Sequence, residues 1–353
     1  MPIPAEARFW IARGLGLWRR GWASLRNRGL AASWQRLKLH FRRGTVPAQA
    51  LYAPQPAPFA GFSIATAAAP RASIVIPVHG AFAHTLACLR ALAAHPPKAS
   101  FELIVVDDAS PEPLEPLLNE TDARVHFLRL PKTVGPGGAR NTGVAMGQAP
   151  FIAFLDSDDL WDLSKLEKQI ALIQNEPSLQ WVHCNEQWQR NGKTVLQRAE
   201  HRKQGGDFLE RAFGRCLIAN SAVVFRRGFY EKHGGFNPHF PVCSDFELWL
   251  RMLADSPIGF LDEALVIKRA GDWPQVSSTP ETDRYRVLAL HRFYRQERNH
   301  AGFHQHAPEL FKEAIYKCEI LIKGARKYGK PAREKQYQAW LTLFNTLRTR
   351  PMR

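Results

Sequence analysis

The sequence predicts a protein of the α/β class, in which helices cover both faces of a mostly parallel sheet and helical extensions lie at both ends. Two observations predict this fold. From residue 71 onward, short apolar runs rich in β-branched residues alternate with segments of helical spacing, a pattern typical of parallel sheets that are buried on both faces. Acidic residues also follow two of these runs directly, at the edge where such sheets bind ligands.

The elements of this body are predicted in chain order. The apolar runs predict strands at 73–78, 102–106, 125–130 and 151–155, and later strands near 181–188, 193–196, 222–225 and 264–268. Helical spacing predicts helices over 82–94 and 139–147, and another that begins at Asp245. The body therefore spans residues 71–283, and a basic helical region follows over 284–353.

The first 70 residues are predicted to lie outside the sheet. Residues 1–44 hold ten Lys or Arg and one acid, with Trp18, Trp22 and Trp34 at positions that fit one side of a helix. This composition is typical of an amphipathic helix on an anionic membrane surface, although a helix docked on the body by its Trp residues has the same pattern. Five prolines make residues 45–70 an extended linker.

Charge and cysteine content exclude several classes of protein. The net charge is +16, of which residues 1–44 contribute +9 and residues 284–353 contribute +11, so the two ends favour polyanionic partners. Five scattered cysteines without a CxxC pair exclude a disulfide framework and a structural zinc site. No apolar run reaches the roughly 18 residues that a membrane span needs, and no secretory signal is visible. We therefore expect a cytoplasmic protein.

The candidate site lies where the second and fourth predicted strands end. Asp107 and Asp108 follow one strand, and Asp156, Asp158 and Asp159 follow the other. Helix caps and turns explain one or two such acids, but five carboxylates at one edge repel one another unless a cation is present. Oxygen ligands of this kind suit Mg²⁺ or Mn²⁺, so the pattern predicts a divalent metal at Asp156 and Asp158.

A glycine-rich stretch separates the two acidic groups. Glycines at 135, 137 and 138 let the backbone approach a ligand closely, and Arg140 beside a helix start suits a phosphate group. The stretch matches neither the GxGxxG pattern nor the P-loop pattern. The sequence therefore lacks the fingerprints of dinucleotide oxidoreductases and of P-loop NTPases.

Five motifs in this order resemble the family 2 glycosyltransferases of the GT-A fold: IPVHG, VVDDAS, GGARNTG, FLDSDD and SDFELWLR, within residues 71–278. The resemblance implies a nucleotide-sugar donor, Asp158 on the metal, Asp245 as general base, and Asp272 as a third metal ligand. It also implies that Asp108 contacts the nucleobase, that Arg140 lies near the base and diphosphate, and that Asp156 lies near the ribose. The donor-binding residues are then Pro77, Val78, Asp107, Asp108, Gly138, Arg140 and Asp156.

The expected enzyme is an inverting, metal-dependent glycosyltransferase that acts at the inner face of the cell membrane on a glycan or lipid-linked acceptor. The absence of a QxxRW element favours transfer of a single sugar, as the resemblance implies. Further segments, such as WVHCNEQW and KRAGDWPQVS, are similar to a bacterial subgroup associated with cell-surface polysaccharide. This similarity implies an acceptor face formed by Trp181, His183, Glu186, Trp188 and Asn191. The alternative is that these residues pack in the core, as Trp and His residues of a strand commonly do.

Other functions stay open at this point. The family pattern is broken at His79 and Ser244, which leaves a catalytically inactive scaffold as one alternative. Nucleotidyl transfer also uses paired carboxylates and metal. A basic nucleic-acid-binding module is another alternative, but no RRM, KH or helix-turn-helix pattern is present, so no nucleic-acid partner is expected.

Overall fold

The computed structural model describes residues 64, 66–112, 125–273 and 275–349. The strands are β1 (Ala72–Val78), β2 (Phe101–Asp107), β3 (Val125–Arg129), β4 (Phe151–Phe154), β5 (Leu160–Trp161), β6 (Trp181–Arg190), β7 (Lys193–Val195), β8 (Val223–Arg226) and β9 (Gly259–Ala270). The helices are α1 (Phe82–Ala94), α2 (Gly135–Met146), α3 (Lys165–Asn175), α4 (Leu209–Gly214), α5 (Arg227–Lys232), α6 (Ser244–Asp255), α7 (Thr282–Glu297), α8 (Ala307–Lys327) and α9 (Pro331–Thr349). The basic segment 1–44 and all but a few residues of the linker lie outside these ranges, so the predictions made for them stay predictions.

The strands form one sheet in the order β3-β2-β1-β4-β8-β6-β9-β5, with β7 paired to β6. The first four strands in this order are mutually parallel. β8 is antiparallel to both β4 and β6, so β6 runs in the same direction as β4, and β9 is parallel to β6. The described strands therefore mostly share one direction, which confirms the predicted mostly parallel sheet.

Side-chain alternation along the strands divides the core into two layers. In β1, Ile74 and Ile76 pack on one face of the sheet with Leu89 of α1, whereas Val75 packs on the other face with Val144 of α2. Because successive strand residues point to opposite faces, apolar residues at nearly every position of β1 and β2 require a helix layer on each side. This explains why the central strands are continuous apolar runs.

The helix predicted over 139–147 begins earlier than expected, at Gly135. Glycines disfavour helix, but two features of this start compensate for them. Pro136 lies in the first turn, where its missing N–H is no loss, and the Asp108 carboxylate accepts the backbone N–H groups of Val134 and Gly135. The glycine-rich stretch is therefore the first turn of α2 and not a loop.

The last three helices complete one of the two apolar layers. Val287, Leu290 and Phe293 of α7 belong to the same buried cluster as α4 and α6, and so does Phe344 of α9. The predicted helical character of the C-terminal region is thus observed. Within the described ranges, the helices are too short or too polar for any of them to cross a bilayer.

Candidate functional site

Asp108 connects the ends of β1 and β2 to the start of α2. Its Oδ1 accepts the N–H of Val134 at 2.6 Å, and its Oδ2 accepts the N–H of Gly135 at 2.8 Å. The ring of His79 donates from Nδ1 to the Asp108 carbonyl at 2.8 Å. A carboxylate at a helix N-terminus is favoured by the exposed N–H groups and the helix dipole, so Asp108 fixes the position of α2 beneath the sheet edge.

Asp107, like Asp108, is buried at the end of β2. Asp107 is fully buried, and its two oxygens accept the Ser110 N–H at 2.8 Å and an Arg129 N–H at 3.1 Å. Pro77 and Val78 lie beside β2, where Val78 pairs with Asp107. These three predicted donor-binding residues therefore lie at the ends of two paired strands, and their contact with a donor stays a prediction.

Arg140 and Asp156 form an ion pair inside the edge. The guanidinium lies between the rings of Phe154 and Phe236, 5.9 Å and 5.4 Å from their centroids, and only 6% of the Arg140 side chain is exposed. Burial alone would raise the pKa of Asp156, but Arg140 and then Lys268 outweigh it and hold this pKa below its usual range. Arg140 thus keeps Asp156 ionised, and Asp156, with 22% of its side chain exposed, is the member of the pair that solvent reaches.

Asp158 is held by residues from the end of β9. Its Oδ2 accepts the indole N–H of Trp273 at 3.1 Å and the amide of Gln275 at 3.5 Å, and its carbonyl accepts the Nε–H of Arg269. The ring of Trp273 also lies 4.0 Å from the ring of His84 on α1. Asp158 Oδ1 accepts no hydrogen bond from the described residues, so one oxygen of this carboxylate is available to a ligand.

Asp159, next to it, has a different environment. It is 1% exposed, and its oxygens accept the Ser221 hydroxyl at 2.7 Å and the Arg269 N–H at 3.0 Å. Burial, aided by the nearby charges of Asp158 and Asp156 and opposed by Lys268, raises the pKa of Asp159 to about 7. Asp159 thus joins the end of β4 to the turn before β8 and to β9 rather than facing solvent.

The carboxylate oxygens at this edge suit a metal ion that takes most of its ligands from a bound substrate. Among the described residues there is no group of three or more His, Cys, Asp or Glu side chains arranged to hold a metal. Asp272, the predicted third ligand, is exposed and accepts a hydrogen bond from Asn191 at 3.1 Å. Mg²⁺ is commonly bound by one or two carboxylates with phosphate oxygens and water, and the free oxygen of Asp158 fits that role. Asp156 and Asp272 as metal ligands stay predictions.

Asp245 lies at the start of α6, as the sequence predicted. Cys243, just before the helix, has a φ of +59°, in the left-handed region. The half-buried Asp245 carboxylate accepts the Phe246 N–H at 2.7 Å and the Cys216 thiol at 3.6 Å. A Cβ at Gly137 would lie 2.9 Å from the Ser244 hydroxyl, so this glycine allows the start of α6 to approach the start of α2. Asp245 and Gly138 therefore lie on adjoining helix ends.

The predicted acceptor face is only partly compatible with the structure. Trp181 and His183 are fully buried, and Trp181 stacks on Phe225, so these two residues belong to the core and the acceptor-face prediction is wrong for them. Their strand faces apolar helices, and aromatic residues pack well there. Glu186 is buried as well, and its carboxylate forms an ion pair with Lys203 at 3.0 Å and accepts the indole N–H of Trp188 at 2.7 Å.

Several residues of the edge were not predicted from the sequence. They come from the C-terminal half of β9 and the turn after it: Lys268, Arg269, Trp273 and Gln275. Lys268 Nζ lies 3.9 Å from Asp159 Oδ2. A sequence signal for these residues was present, because a strand was predicted at 264–268. Ligands bind at the carboxyl ends of parallel strands, and this rule applies to that strand once it is known to run parallel to β4.

The chain is similar in sequence to known proteins. The family described as "Glycosyl transferase family 2" matches residues 73–234. An Escherichia coli protein, the UDP-Glc:alpha-D-GlcNAc-diphosphoundecaprenol beta-1,3-glucosyltransferase WfgD, is 30% identical over 191 residues, which cover 54% of this chain and 72% of WfgD. The chain belongs to glycosyl transferase family 2. It is a glycosyltransferase, and the predicted family is confirmed.

Two further comparisons concern a second relative in sequence and a solved structure of similar fold. The putative teichuronic acid biosynthesis glycosyltransferase TuaG of Bacillus subtilis is 33% identical over 157 residues, 43% of this chain and 60% of TuaG. The crystal structure of S. aureus TarS 1–349 in complex with UDP-GlcNAc has a TM-score of 0.53 at 17% identity, covering 78% of this chain and 92% of that one. The TarS likeness concerns the fold alone and confirms the predicted GT-A class.

Proposed function

We propose that this glycosyltransferase moves one sugar from a nucleoside diphosphate sugar, with UDP as the first nucleotide to test, to a hydroxyl group of a glycan or lipid-linked acceptor, with inversion. The observation that carries the proposal is the open carboxylate oxygen of Asp158 beside the Arg140–Asp156 pair, at the carboxyl edge of the sheet. It is supported by the UDP-sugar and diphosphoundecaprenol in the name of WfgD and by the UDP-GlcNAc in the TarS crystal.

The chemistry requires two kinds of group. The leaving diphosphate carries developing negative charge, and a divalent metal on Asp158 would neutralise it as a Lewis acid. The acceptor hydroxyl loses its proton as it attacks the anomeric carbon, and Asp245 would take that proton as general base. One carboxylate on the acceptor side, without a covalent partner on the opposite side, leads to inversion.

A transfer and hydrolysis assay tests the proposed function. The protein is incubated with UDP-, GDP- and dTDP-sugars in Mn²⁺ or Mg²⁺, with a synthetic diphospholipid-linked sugar as acceptor, and the released nucleotide is measured. Release that depends on the acceptor, with product of inverted anomeric configuration, supports the proposal. Tight nucleotide binding without release under any condition would identify an inactive scaffold, and transfer of the nucleotidyl group would identify a nucleotidyltransferase.

Asp158→Asn is expected to abolish the gain in UDP affinity that Mn²⁺ provides. Asn keeps an oxygen for the Trp273 hydrogen bond but loses the negative charge that a hard cation prefers, so the melting temperature should stay near that of the wild type. Calorimetric titration with UDP, in Mn²⁺ and in EDTA, measures the effect. Asp262→Asn is the matched control, because Asp262 is an exposed carboxylate on β9. A variant with undiminished UDP affinity in Mn²⁺ removes Asp158 from the metal.

We also propose that the enzyme binds the inner surface of the cell membrane through residues 1–44, which would bring it to a lipid-linked acceptor. The ten basic residues of this segment each contribute about 1 kcal/mol near an anionic leaflet, when they face it. Tryptophan side chains favour the headgroup region.

Deleting residues 1–44 is therefore expected to release the protein from vesicles that contain anionic lipid, and high salt should weaken binding of the whole chain. Vesicle co-sedimentation measures both effects, with neutral vesicles as the control. Persistent binding after the deletion would transfer the role to the C-terminal helices, where Tyr316, Ile320 and Tyr328 are exposed. Unfolding of the shortened chain would mean that the Trp residues pack in the core.

A further inference from the structure

Lys268 is a cation of the sheet edge whose hydrogen-bonding capacity is unused by the described residues. It lies near the carboxyl end of β9 with 40% of its side chain exposed, and its Nζ is 3.9 Å from Asp159 Oδ2. That distance is too long for a hydrogen bond, and within the described residues the Lys268 ammonium donates no hydrogen bond to any acceptor. Its three N–H groups are therefore free to bind a ligand in the open part of the edge.

Three other cations near the edge are committed to protein groups. Arg140 is buried in its pair with Asp156. Arg269 donates to the carbonyl oxygens of Asp158 and His84. Lys203 is buried and donates to the Leu217 carbonyl at 2.6 Å while it pairs with Glu186. Compared with these three side chains, Lys268 has all of its N–H donors free for a ligand that brings negative charge to this edge.

The surroundings keep Lys268 charged and hold it in place. Asp159 most strongly, and then Asp156, Glu186 and Asp158, raise the pKa of Lys268. Asp159 and Glu186 have other partners as well, which are Ser221 and Lys203. The nearby carboxylates thus keep Lys268 positively charged but do not accept its N–H groups. This arrangement suits an ammonium group that binds an anionic ligand.

We infer that Lys268 binds the diphosphate of the nucleotide-sugar donor, as a charged group separate from the metal on Asp158. The inference rests on the proposed function, because it takes the nucleoside diphosphate as the ligand of this edge. It also gives the diphosphate a partner other than Arg140, whose guanidinium is enclosed by Phe154 and Phe236. During transfer the ammonium would stabilise the charge that develops on the leaving diphosphate.

The test compares ligands that differ only in phosphate. In EDTA, Lys268→Met is expected to raise the dissociation constant of UDP roughly 10- to 100-fold, the loss of one charge-assisted interaction, and to leave that of uridine unchanged. Lys268→Arg should restore UDP binding to within a few-fold. Lys193→Met, at an exposed lysine of β7, is the control. Equal weakening of UDP and uridine, or unchanged UDP binding, overturns the inference and leaves Lys268 as a structural counter-ion.

A second measurement uses the unaltered protein, so it does not depend on the folding of a variant. Acetylation of lysines by a water-soluble reagent, followed by mass spectrometry, reports the accessibility of each lysine. UDP is expected to protect Lys268 and uridine is not, while Lys193 reacts equally under all conditions. If UDP binds but leaves Lys268 reactive, this inference fails alone. If none of UDP, GDP and dTDP binds, both the inference and the proposed function fail.

Discussion

Replacing Asp245 with Asn is expected to lower turnover by roughly 10²- to 10⁴-fold, the usual contribution of general-base catalysis, while UDP affinity stays at the wild-type value. The amide cannot accept the proton of the acceptor hydroxyl, but it is isosteric with the carboxylate and keeps an oxygen for the Phe246 N–H. Asp245 follows Ser244, whose side chain lies against Gly137, and we expect donor binding not to require the charge of Asp245. Steady-state rates and UDP calorimetry on the same preparation separate the two effects.

The matched control for Asp245 lies at the other end of the same helix. Asp255 pairs with Lys232 on the surface, so Asp255→Asn should leave turnover unchanged and cost less than about 1 kcal/mol of stability. Turnover of Asp245→Asn close to the wild-type rate would assign the base to another carboxylate. A loss of UDP affinity in that variant, equal to its loss of turnover, would instead indicate a role in donor binding.

Replacing Lys165 with Met is expected to stabilise the protein by up to about 3 kcal/mol at pH 7. Lys165 on α3 is fully buried, its Nζ has no hydrogen-bond partner among the described residues, and it lies 4.0 Å from the centroid of the Trp161 ring. Burial lowers the pKa of Lys165 from 10.5 to about 8. Each unit corresponds to about 1.4 kcal/mol, so keeping the ammonium charged in the folded state lowers the free energy of unfolding.

The sign of the pH dependence follows from this shift. Below pH 8 the Lys165 side chain is protonated in both the folded and the unfolded chain, so the whole cost of burying its charge lowers the free energy of unfolding. Between about pH 8 and 10.5 the folded state loses the proton first, so the contribution of Lys165 to stability rises with pH, and the advantage of Lys165→Met shrinks.

Urea denaturation at pH 7, 8.5 and 10 measures this change in stability. Lys168→Met is the control, because Lys168 is 42% exposed and pairs with Glu263 at the surface, where such pairs contribute little. A destabilised Lys165→Met variant, or a gain that does not change with pH, would contradict the expectation.

The strands, and the acidic residues of the site that follow them, were predictable because their sequence signals are local. β1, β2 and β4 are apolar runs that end at polar residues, so both the strand and the position of Asp108 or Asp156 beyond its end follow from a few consecutive residues. The periodicity of α1 is equally local, and its bounds agree with the prediction. The start of α2 was displaced because Asp108, 26 residues before Val134 in the chain, caps that helix, and helix propensity cannot reveal such a partner.

The rest of the site depends on contacts between distant parts of the chain. Arg140 could be recognised as a functional arginine, but its enclosure by Phe236 depends on the loop before α6. Lys268 lies near Asp159 because β5 pairs antiparallel with β9, where Leu160 is opposite Ile267. Strand order of this kind is set by tertiary packing. For the same reason, the sequence could not decide between core and acceptor face for Trp181.

The apolar layer that α7 shares with α4 also determines how much of the chain is needed to fold. The Phe293 ring lies 5.8 Å from the ring of Phe213 on α4, and Lys317 of α8 donates to the Gly214 carbonyl at the end of α4. A fragment that stops at residue 283 would expose this face of α4 and α6 to water and would tend to aggregate. The smallest autonomous catalytic fragment is therefore expected to include the C-terminal helices.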